Sequence, residues 1–228
     1  MPNGPPIRLD SEDFREQPVS LCGKAFIAHW SGALYWPAED ALIVADLHLG
    51  ADTPPFSTRD TLARLAGALD VTPASTVIVL DGGLAGADRL APAALDTLHI
   101  LQEDRDWIWL TGNAGTGDAH RLGGHALSQA TVAGVTLRPV PAQGRVTHEI
   151  AGHLHPAARV LRLGHTVRRP CFAGNGKRLI LPAFGAPTGG LNILDTAFEP
   201  LFGHDGMQVW MLGHEGLYPV AARLLREE

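Results

Sequence analysis

The sequence predicts an α/β fold in which two mixed β-sheets pack face to face and helices cover them on the outside. In the first half of the 228-residue chain, short apolar runs typical of buried strands alternate with segments whose leucines recur at helical spacing. Beyond about residue 130 the helical periodicity largely disappears, and short β-type runs separated by Gly or Pro follow one another. An α/β half followed by a β-rich half favours two stacked sheets flanked by helices.

The elements of the first half follow from local patterns. Ser57 followed by Asp60 resembles a capping box that opens a helix, Pro73 ends this helix, and a second helix begins near Pro92. Apolar and β-branched runs predict strands at residues 25–28, 33–36, 41–45, 76–80 and 107–110. Because helices separate the last three of these strands, we expect a βαβαβ unit with a parallel sheet.

The second half is predicted to consist mainly of strands. The predicted strands lie at residues 131–137, 145–151, 167–172, 179–181, 191–194 and 209–212. We expect one domain over residues 21–228, preceded by an irregular, Pro-rich lead-in over residues 1–20.

Composition excludes several classes of protein. The N-terminus has neither a basic segment nor an apolar run of the signal-peptide type, and no apolar run approaches the ~20 residues needed to span a membrane. Cys22 and Cys171 are the only cysteines, and they give neither a disulfide framework nor a metal clip. We therefore expect a soluble, cytoplasmic protein with no membrane partner.

Side chains of the metal-ligand type stand where predicted strands end. Asp46 and His48 follow the apolar run 41–45, and two residues at this spacing in extended backbone point to the same side. A carboxylate and an imidazole placed in this way can bind one divalent ion. Taken alone, such a pair is more often a polar strand end than a metal site. Three later strand ends carry similar residues, namely Asp81-Gly82, Gly112-Asn113 and His153-Leu154-His155.

In chain order these strand ends resemble the motifs of calcineurin-like metallophosphoesterases. Residues 149–156, E-I-A-G-H-L-H-P, and residues 178–192, R-L-I-L-P-A-F-G-A-P-T-G-G-L-N, are similar to one branch of that family, the bacterial ligase-associated DNA damage response endonucleases. The resemblance covers about residue 20 to 195 and implies a four-layer sandwich with a two-metal site. The two ions, roughly 3.5–4 Å apart, clamp a phosphate and activate a bridging water. It also implies a metal-dependent phosphodiesterase or endonuclease associated in DNA repair with a ligase, a helicase and an exonuclease.

The resemblance assigns ligands residue by residue. Asp46, His48 and His155 match the first metal, and Asn113 and His153 match the second. Mn²⁺ is the expected ion. Asp81 matches the bridging carboxylate, but it stands one position early, and such a slip turns a strand side chain to the opposite face. A bulge at Gly82-Gly83 would correct this.

Other expected residues are missing. Ala85 stands where the family has a histidine, and Ala114 occupies the general-acid position. Pro139-Val140-Pro141 replaces a further histidine motif. Losing a general acid costs ~10²–10⁴ in rate, so we expect an impaired site. Because ligands are also missing, we expect the site to hold one ion rather than two, unless His120, His125 or His148 supplies a ligand.

The charge is unevenly distributed. The formal net charge is −6, yet the only acid between residues 138 and 178 is Glu149. This segment is a candidate contact for phosphates, although the same residues would also suit solvated strand positions. The candidate residues are Arg138, Arg145, Arg159, Arg162, Arg168 and Arg169.

Two functions remain open from the sequence. One is a metal-dependent phosphodiesterase acting on DNA or another phosphodiester. The other is a catalytically inactive protein of the same fold that binds DNA or repair proteins. Nucleotide binding by the glycine-rich turns is disfavoured because no P-loop or dinucleotide-binding motif is present.

Overall fold

The structure is a computed structural model that describes residues 15–50, 58–80, 88–112, 119–162, 164–185, 190–202 and 206–227. Its first sheet has the strand order β1-β2-β3-β4-β5-β6-β7, antiparallel up to β4 and parallel from β4 to β7. The strands are β1 (Glu16–Leu21), β2 (Lys24–His29), β3 (Leu34–Trp36), β4 (Ala41–Ala45), β5 (Thr76–Leu80), β6 (Asp106–Leu110) and β7 (His125–Leu127).

The second sheet has the order β15-β14-β12-β13-β10-β9-β8, and β11 pairs with β12 outside this path. Strands β9, β10 and β13 are parallel neighbours, and the other pairs are antiparallel. The strands are β8 (Ala130–Val132), β9 (Val135–Arg138), β10 (Glu149–Ala151), β11 (Ala157–Arg162), β12 (His165–Gly174), β13 (Arg178–Ile180), β14 (Gln208–Leu212) and β15 (Leu217–Val220).

Helices connect and cover the sheets. The α-helices are α1 (Thr58–Val71), α2 (Pro92–Gln102), α3 (Ala119–Leu122) and α4 (Glu199–Phe202), and short 3₁₀ helices span Pro37–Glu39, Thr196–Phe198 and Ala222–Leu224. None of the helices in the described part of the chain combines the length and the apolar character needed to cross a membrane.

Three apolar cores define the layers. The central core lies between the two sheets and includes Ile43, Ile150 and Phe172. A second core packs the first sheet against α1 and α2, and a third packs the second sheet against the segment around α4. Alternate residues of β4 enter different cores, which explains why this strand is apolar throughout. The predicted two-sheet α/β sandwich is confirmed.

Two predictions of irregular or extended structure need correction. The lead-in expected over residues 1–20 ends earlier, because Glu16–Leu21 forms β1 and pairs along its whole length with β2. The strand expected at 191–194 is reduced to a single bridge between Asn192 and Ala157, after which the chain turns. Both outcomes depend on strand pairing, because β1 pairs with the adjacent strand β2 across the turn at Cys22-Gly23, whereas residues 191–194 form only one bridge.

The strands of the second half also differ in extent from those predicted. Residues 131–137 form two strands, β8 and β9, since Ala133 and Gly134 adopt φ of 44° and 79° and make a tight turn. Only the last three residues of the predicted strand 145–151 are extended, and β11 was not predicted at all. The Ser57 capping position lies outside the described residues.

A buried ion pair joins β10 to β13. Glu149 and Arg178 are opposite each other in the parallel ladder, and Arg178 Nε donates to Glu149 Oε2 at 2.5 Å. Arg178 is fully buried, and its other nitrogens donate to the carbonyls of Leu201 in α4, Ala142 and Gly144. The guanidinium therefore ties the sheet to α4 and to the loop before β10.

We expect Arg178→Met to lower the free energy of unfolding by about 3–5 kcal/mol, because it removes the closer of the two guanidinium groups at the buried Glu149 carboxylate and leaves only Arg138, at 3.4 Å. Urea unfolding followed by circular dichroism measures this change. Lys177→Met is the matched control, since Lys177 is exposed one residue earlier and its loss should cost less than about 0.5 kcal/mol. Equal losses for the two variants would contradict the role given to the ion pair.

Candidate metal site

The site lies where the carboxyl ends of strands from both sheets meet. Asp46 follows β4, and His153 and His155 follow β10. The segment after β13 joins the two edges, because Phe184 N donates to Ala45 O at 2.8 Å and Gly185 N donates to Asp46 O at 3.0 Å. Carboxyl ends of parallel strands are the usual place for ligand sites in α/β sheets.

Asp46, His48 and His155 form one cluster of metal-ligand atoms. One ligand atom from each side chain lies within 4.8 Å of the other two. His155 Nε2 is 3.4 Å from Asp46 Oδ2, and the rings of His48 and His155 meet edge to face with centroids 5.0 Å apart. One carboxylate and two imidazoles suit a first-row divalent ion such as Mn²⁺ or Zn²⁺.

The Asp46 carboxylate shows that a cation fits this cluster. The residue is fully buried, and its Oδ2 accepts a hydrogen bond from His153 N at 3.0 Å. Its Oδ1 is buried and has no hydrogen-bond partner among the described residues. Leaving a buried carboxylate oxygen without a partner costs free energy, and a bound cation would supply the missing interaction. The donor set and this oxygen together match a metal site.

The backbone at the site is unusual. Asp46, His48, His153 and His155 have φ of 51°, 50°, 76° and 46°, in the left-handed region that non-glycine residues rarely adopt. They are half of the eight such residues in the described chain, so this conformation is concentrated at the site. Each such residue costs of order 1–3 kcal/mol and persists only where the surrounding structure holds it in place.

The backbone of Asp46 and His48 differs from the extended conformation that the sequence predicted. We expected Asp46 and His48 to share a side because they continue an extended strand, but both lie beyond β4 in left-handed backbone. Their side chains meet because the chain turns there, not because of strand alternation. The pairing of these residue types is as predicted, and its cause is different.

Glycines allow the segments around the site to approach closely. A Cβ on Gly152 would lie 3.0 Å from Ala45 Cβ and 3.3 Å from Asp46 Oδ2. A Cβ on Gly185 would overlap the main chain of Leu47, and one on Gly190 would overlap the main chain of His155. The glycines of the segments 149–156 and 178–192 therefore let the main chain pack directly against the ligand residues.

Helix α1 supports the same segment from outside. Thr61 Oγ1 donates to Gly185 O at 3.2 Å, and Arg64 Nη1 donates to Phe184 O at 2.6 Å. The Arg64 guanidinium also lies 5.6 Å from the centroid of the Phe184 ring, and burial lowers its pKa. Sequence reasoning missed both residues, because on an amphipathic helix they are indistinguishable from other polar positions.

The structure describes the other predicted ligands only in part. His153 contributes its main-chain N–H to Asp46, and its side chain is exposed. Asp81, Asn113 and Ala114 lie outside the described residues. The strands that precede them, β5 and β6, run parallel to β4, with Leu80 and Leu110 level with Ala45, so the sheet register brings these strand ends to the same edge.

Pro139, which begins the segment that replaces the family's histidine motif, also lies at this edge. Pro139 follows β9, its carbonyl accepts from Gly152 N at 3.2 Å, and its ring would be 3.6 Å from a Cβ on Gly112. Its side chain offers no ligand atom. His125 opens β7 and His148 precedes β10, so both stand near the amino ends of their strands, away from the cluster. The side chain of His120 is outside the described part of the chain.

The arginines of the basic segment separate into distinct environments. Arg138 Nε lies 3.4 Å from Glu149 Oε1, and its guanidinium also donates to Gln129. Arg145 is exposed in the loop before β10. The remaining four predicted residues, Arg159, Arg162, Arg168 and Arg169, lie on β11 and β12.

The fold and the cluster together define a two-sheet α/β protein with a candidate divalent-metal site at its strand ends. The chain is similar to the Pseudomonas putida nuclease MPE, whose crystal structure gives a TM-score of 0.72 at 28% sequence identity over 90% of this chain and 100% of that chain. No protein-family model and no curated protein matches the sequence. The structural likeness supports a nuclease-like function in broad terms.

We expect Mn²⁺ to stabilise the protein against thermal unfolding and Asp46→Asn to abolish this effect, because the substitution keeps the shape and removes the charge. The stabilisation reaches about 2.7 kcal/mol when free metal exceeds its dissociation constant a hundredfold. Scanning calorimetry with and without Mn²⁺, referenced to protein in a chelator, measures the shift. His148→Ala should keep the full shift, and an undiminished shift in Asp46→Asn would exclude this carboxylate as a ligand.

We expect Gly185→Ala to destabilise the protein and weaken Mn²⁺ binding, because the added methyl would displace the main chain of Leu47 between two ligand residues. Gly67→Ala is the matched control. Nothing lies within 4 Å of a Cβ there, and the site is inside α1, so alanine should stabilise by roughly 0.5–1 kcal/mol. Thermal unfolding and Mn²⁺ titration of both variants test the difference. An unchanged Mn²⁺ affinity in Gly185→Ala would contradict the close packing.

Proposed function

We propose that the protein is a metal-dependent phosphodiesterase that cleaves nucleic acid, with DNA as its substrate. The observation that carries the proposal is the cluster of Asp46, His48 and His155, in which a buried carboxylate oxygen lacks a hydrogen-bond partner among the described residues. The structural likeness to a nuclease supports the same class of reaction.

The chain's own residues prepare this cluster before any substrate arrives. The His153 main-chain N–H and the burial of Asp46 fix one carboxylate oxygen, so the other oxygen remains available as a ligand. The edge-to-face arrangement of His48 and His155 directs two imidazoles to the same region. A divalent ion, when bound there, would polarise a phosphoryl oxygen and lower the pKa of a bound water.

The second half of the proposed site is weaker. We assign Asn113 and the side chain of His153 to a second ion, with Asp81 as the carboxylate that would bridge the two ions. Ala114 stands at the general-acid position, and the Pro139 side chain has no ligand atom. Without a general acid the leaving oxygen must take its proton from water, which costs ~10²–10⁴ in rate. We therefore expect slow turnover that depends on one tightly held ion, with Mn²⁺ as the preferred metal.

The biological setting is proposed on the sequence resemblance alone. The motifs at residues 149–156 and 178–192 favour a role in bacterial DNA repair beside a ligase, a helicase and an exonuclease. The presence of Pro139 at the site edge favours one alternative, an inactive protein of this fold that binds DNA or repair partners. Direct measurement of turnover distinguishes the two.

The test is Mn²⁺-stimulated hydrolysis of bis-p-nitrophenyl phosphate and of single-stranded DNA by the purified protein. We expect turnover in the parent and a loss of at least about a hundredfold in His155→Ala, which removes a ligand and also controls for a contaminating nuclease. The variant His148→Ala should retain activity, because His148 lies at the amino end of β10, away from the cluster. Folded parent protein with no turnover under these conditions would rule out the phosphodiesterase and leave the binding role.

A further inference from the structure

Strands β11 and β12 form a two-stranded ribbon that extends beyond the second sheet. Residues 165–170 of β12 pair only with residues 157–162 of β11, and pairing with β14 begins at Cys171. We call residues 157–162 and 165–170 the β11–β12 ribbon. The C-terminal segment covers part of the ribbon, because Val160 bridges Leu225 and Arg226 N donates to Arg159 O, whereas Arg162 and Arg169 are exposed to solvent.

The ribbon is strongly cationic. It carries Arg159, Arg162, Arg168 and Arg169, and the sequence has no Asp or Glu from residue 150 to residue 194. The acid just before this stretch, Glu149, is buried against Arg178 and does not reach the ribbon surface. The positive charge of the ribbon is therefore not balanced by acids of its own segment.

Two like charges face each other across the ribbon, because Arg159 lies directly opposite Arg168. Arg159 donates to the carbonyl of Glu227 and Arg168 to the carbonyl of Gly190, so main-chain oxygens orient both guanidinium groups. Opposed like charges destabilise an antiparallel pair. A polyanion laid along the ribbon would reverse this repulsion, because each phosphate would lie between cations.

The ribbon starts beside the metal-ligand cluster. Pro156, the residue after His155, accepts a hydrogen bond from Cys171 N at 2.9 Å, which fixes the root of the ribbon. Arg168 donates to Gly190 O, and Gly190 packs against the main chain of His155. At about 3.4 Å per residue, Arg162 can lie no more than ~24 Å along the chain from His155. A strand whose phosphodiester reaches the cluster would pass within reach of these arginines.

We propose that the β11–β12 ribbon binds the sugar-phosphate backbone of the nucleic acid on one side of the position that is cleaved. This inference rests on the proposed function, because the strand it holds is the one presented to the metal. It narrows the six predicted arginines to the four on the ribbon, because Arg138 is engaged with Glu149 and Arg145 lies in the loop before β10, outside the ribbon. It also predicts a preference for polymers over small diesters, since a small diester is too short to contact the ribbon.

The test uses Arg162→Gln combined with Arg169→Gln, because both side chains are exposed on the ribbon. Binding to a fluorescein-labelled single-stranded oligonucleotide is measured by anisotropy in EDTA, so that no cleavage occurs. We expect the affinity at 0.1 M salt to fall about 10- to 30-fold. The slope of log K against log salt should become shallower by about 1.4, or 0.7 for each lost phosphate contact.

The matched control is Arg15→Gln combined with Arg89→Gln, which makes the same change of net charge at exposed positions before β1 and before α2. This control should bind the oligonucleotide like the parent. If the ribbon variant also binds like the parent, or if both double variants lose affinity equally, the ribbon is not the binding surface.

A kinetic comparison separates this inference from the proposed function. Hydrolysis of the small diester by the parent reports the metal site, and the metal-free binding measurement reports the ribbon. In the ribbon variant we expect the ratio of kcat/KM for the oligonucleotide to kcat/KM for the small diester to fall about tenfold or more, in line with the lost affinity. An unchanged ratio in a folded, active variant would overturn the ribbon's role and leave the phosphodiesterase intact.

Discussion

The buried ion pair between Glu149 and Arg178 is the interaction on which the second sheet and the site both depend. It joins two parallel strands at their first residues, and the remaining donors of Arg178 reach α4 and the loop before β10. Because a buried charge without its partner is very unfavourable, this arrangement strongly disfavours any shift in register between β10 and β13. The register in turn fixes where the chain leaves β10, at Ala151, two residues before His153. A packing interaction inside one sheet thus positions the candidate metal ligands.

At the site, packing and hydrogen bonds from the rest of the fold hold a local backbone conformation that is unfavourable by itself. Four ligand-type residues adopt left-handed backbone, and a buried carboxylate keeps an oxygen without a hydrogen-bond partner among the described residues. Main-chain hydrogen bonds from residues 184 and 185, contacts from α1, and glycines that allow close approach hold this arrangement. Strain and unmet hydrogen-bonding capacity in one place are typical of a site prepared for a ligand.

Much of the architecture could be predicted because local sequence and global fold agree. The continuous apolar runs of β4 and β5, the leucine spacing of α1 and the proline at the start of α2 each specify one element. The errors occur where pairing with another segment decides, whether that segment is adjacent or distant in the chain. Strand β1 exists because β2 pairs with it, and the expected strand at 191–194 finds only one bridge. The roles of Thr61 and Arg64 were not visible, because their partners are main-chain oxygens more than a hundred residues away.

By itself, the sequence determined which residue types end which strands, and hence that Asp46, His48 and His155 were candidate ligands for one ion. It also determined the local excess of arginine, since composition does not depend on the fold. Only the tertiary structure decided that these ligands meet through left-handed turns, that Arg178 is buried while Arg162 and Arg169 are exposed, and that the ribbon begins beside the cluster. The physical reason is that burial, strain and proximity are properties of packed chain segments, and residues far apart in sequence create them together.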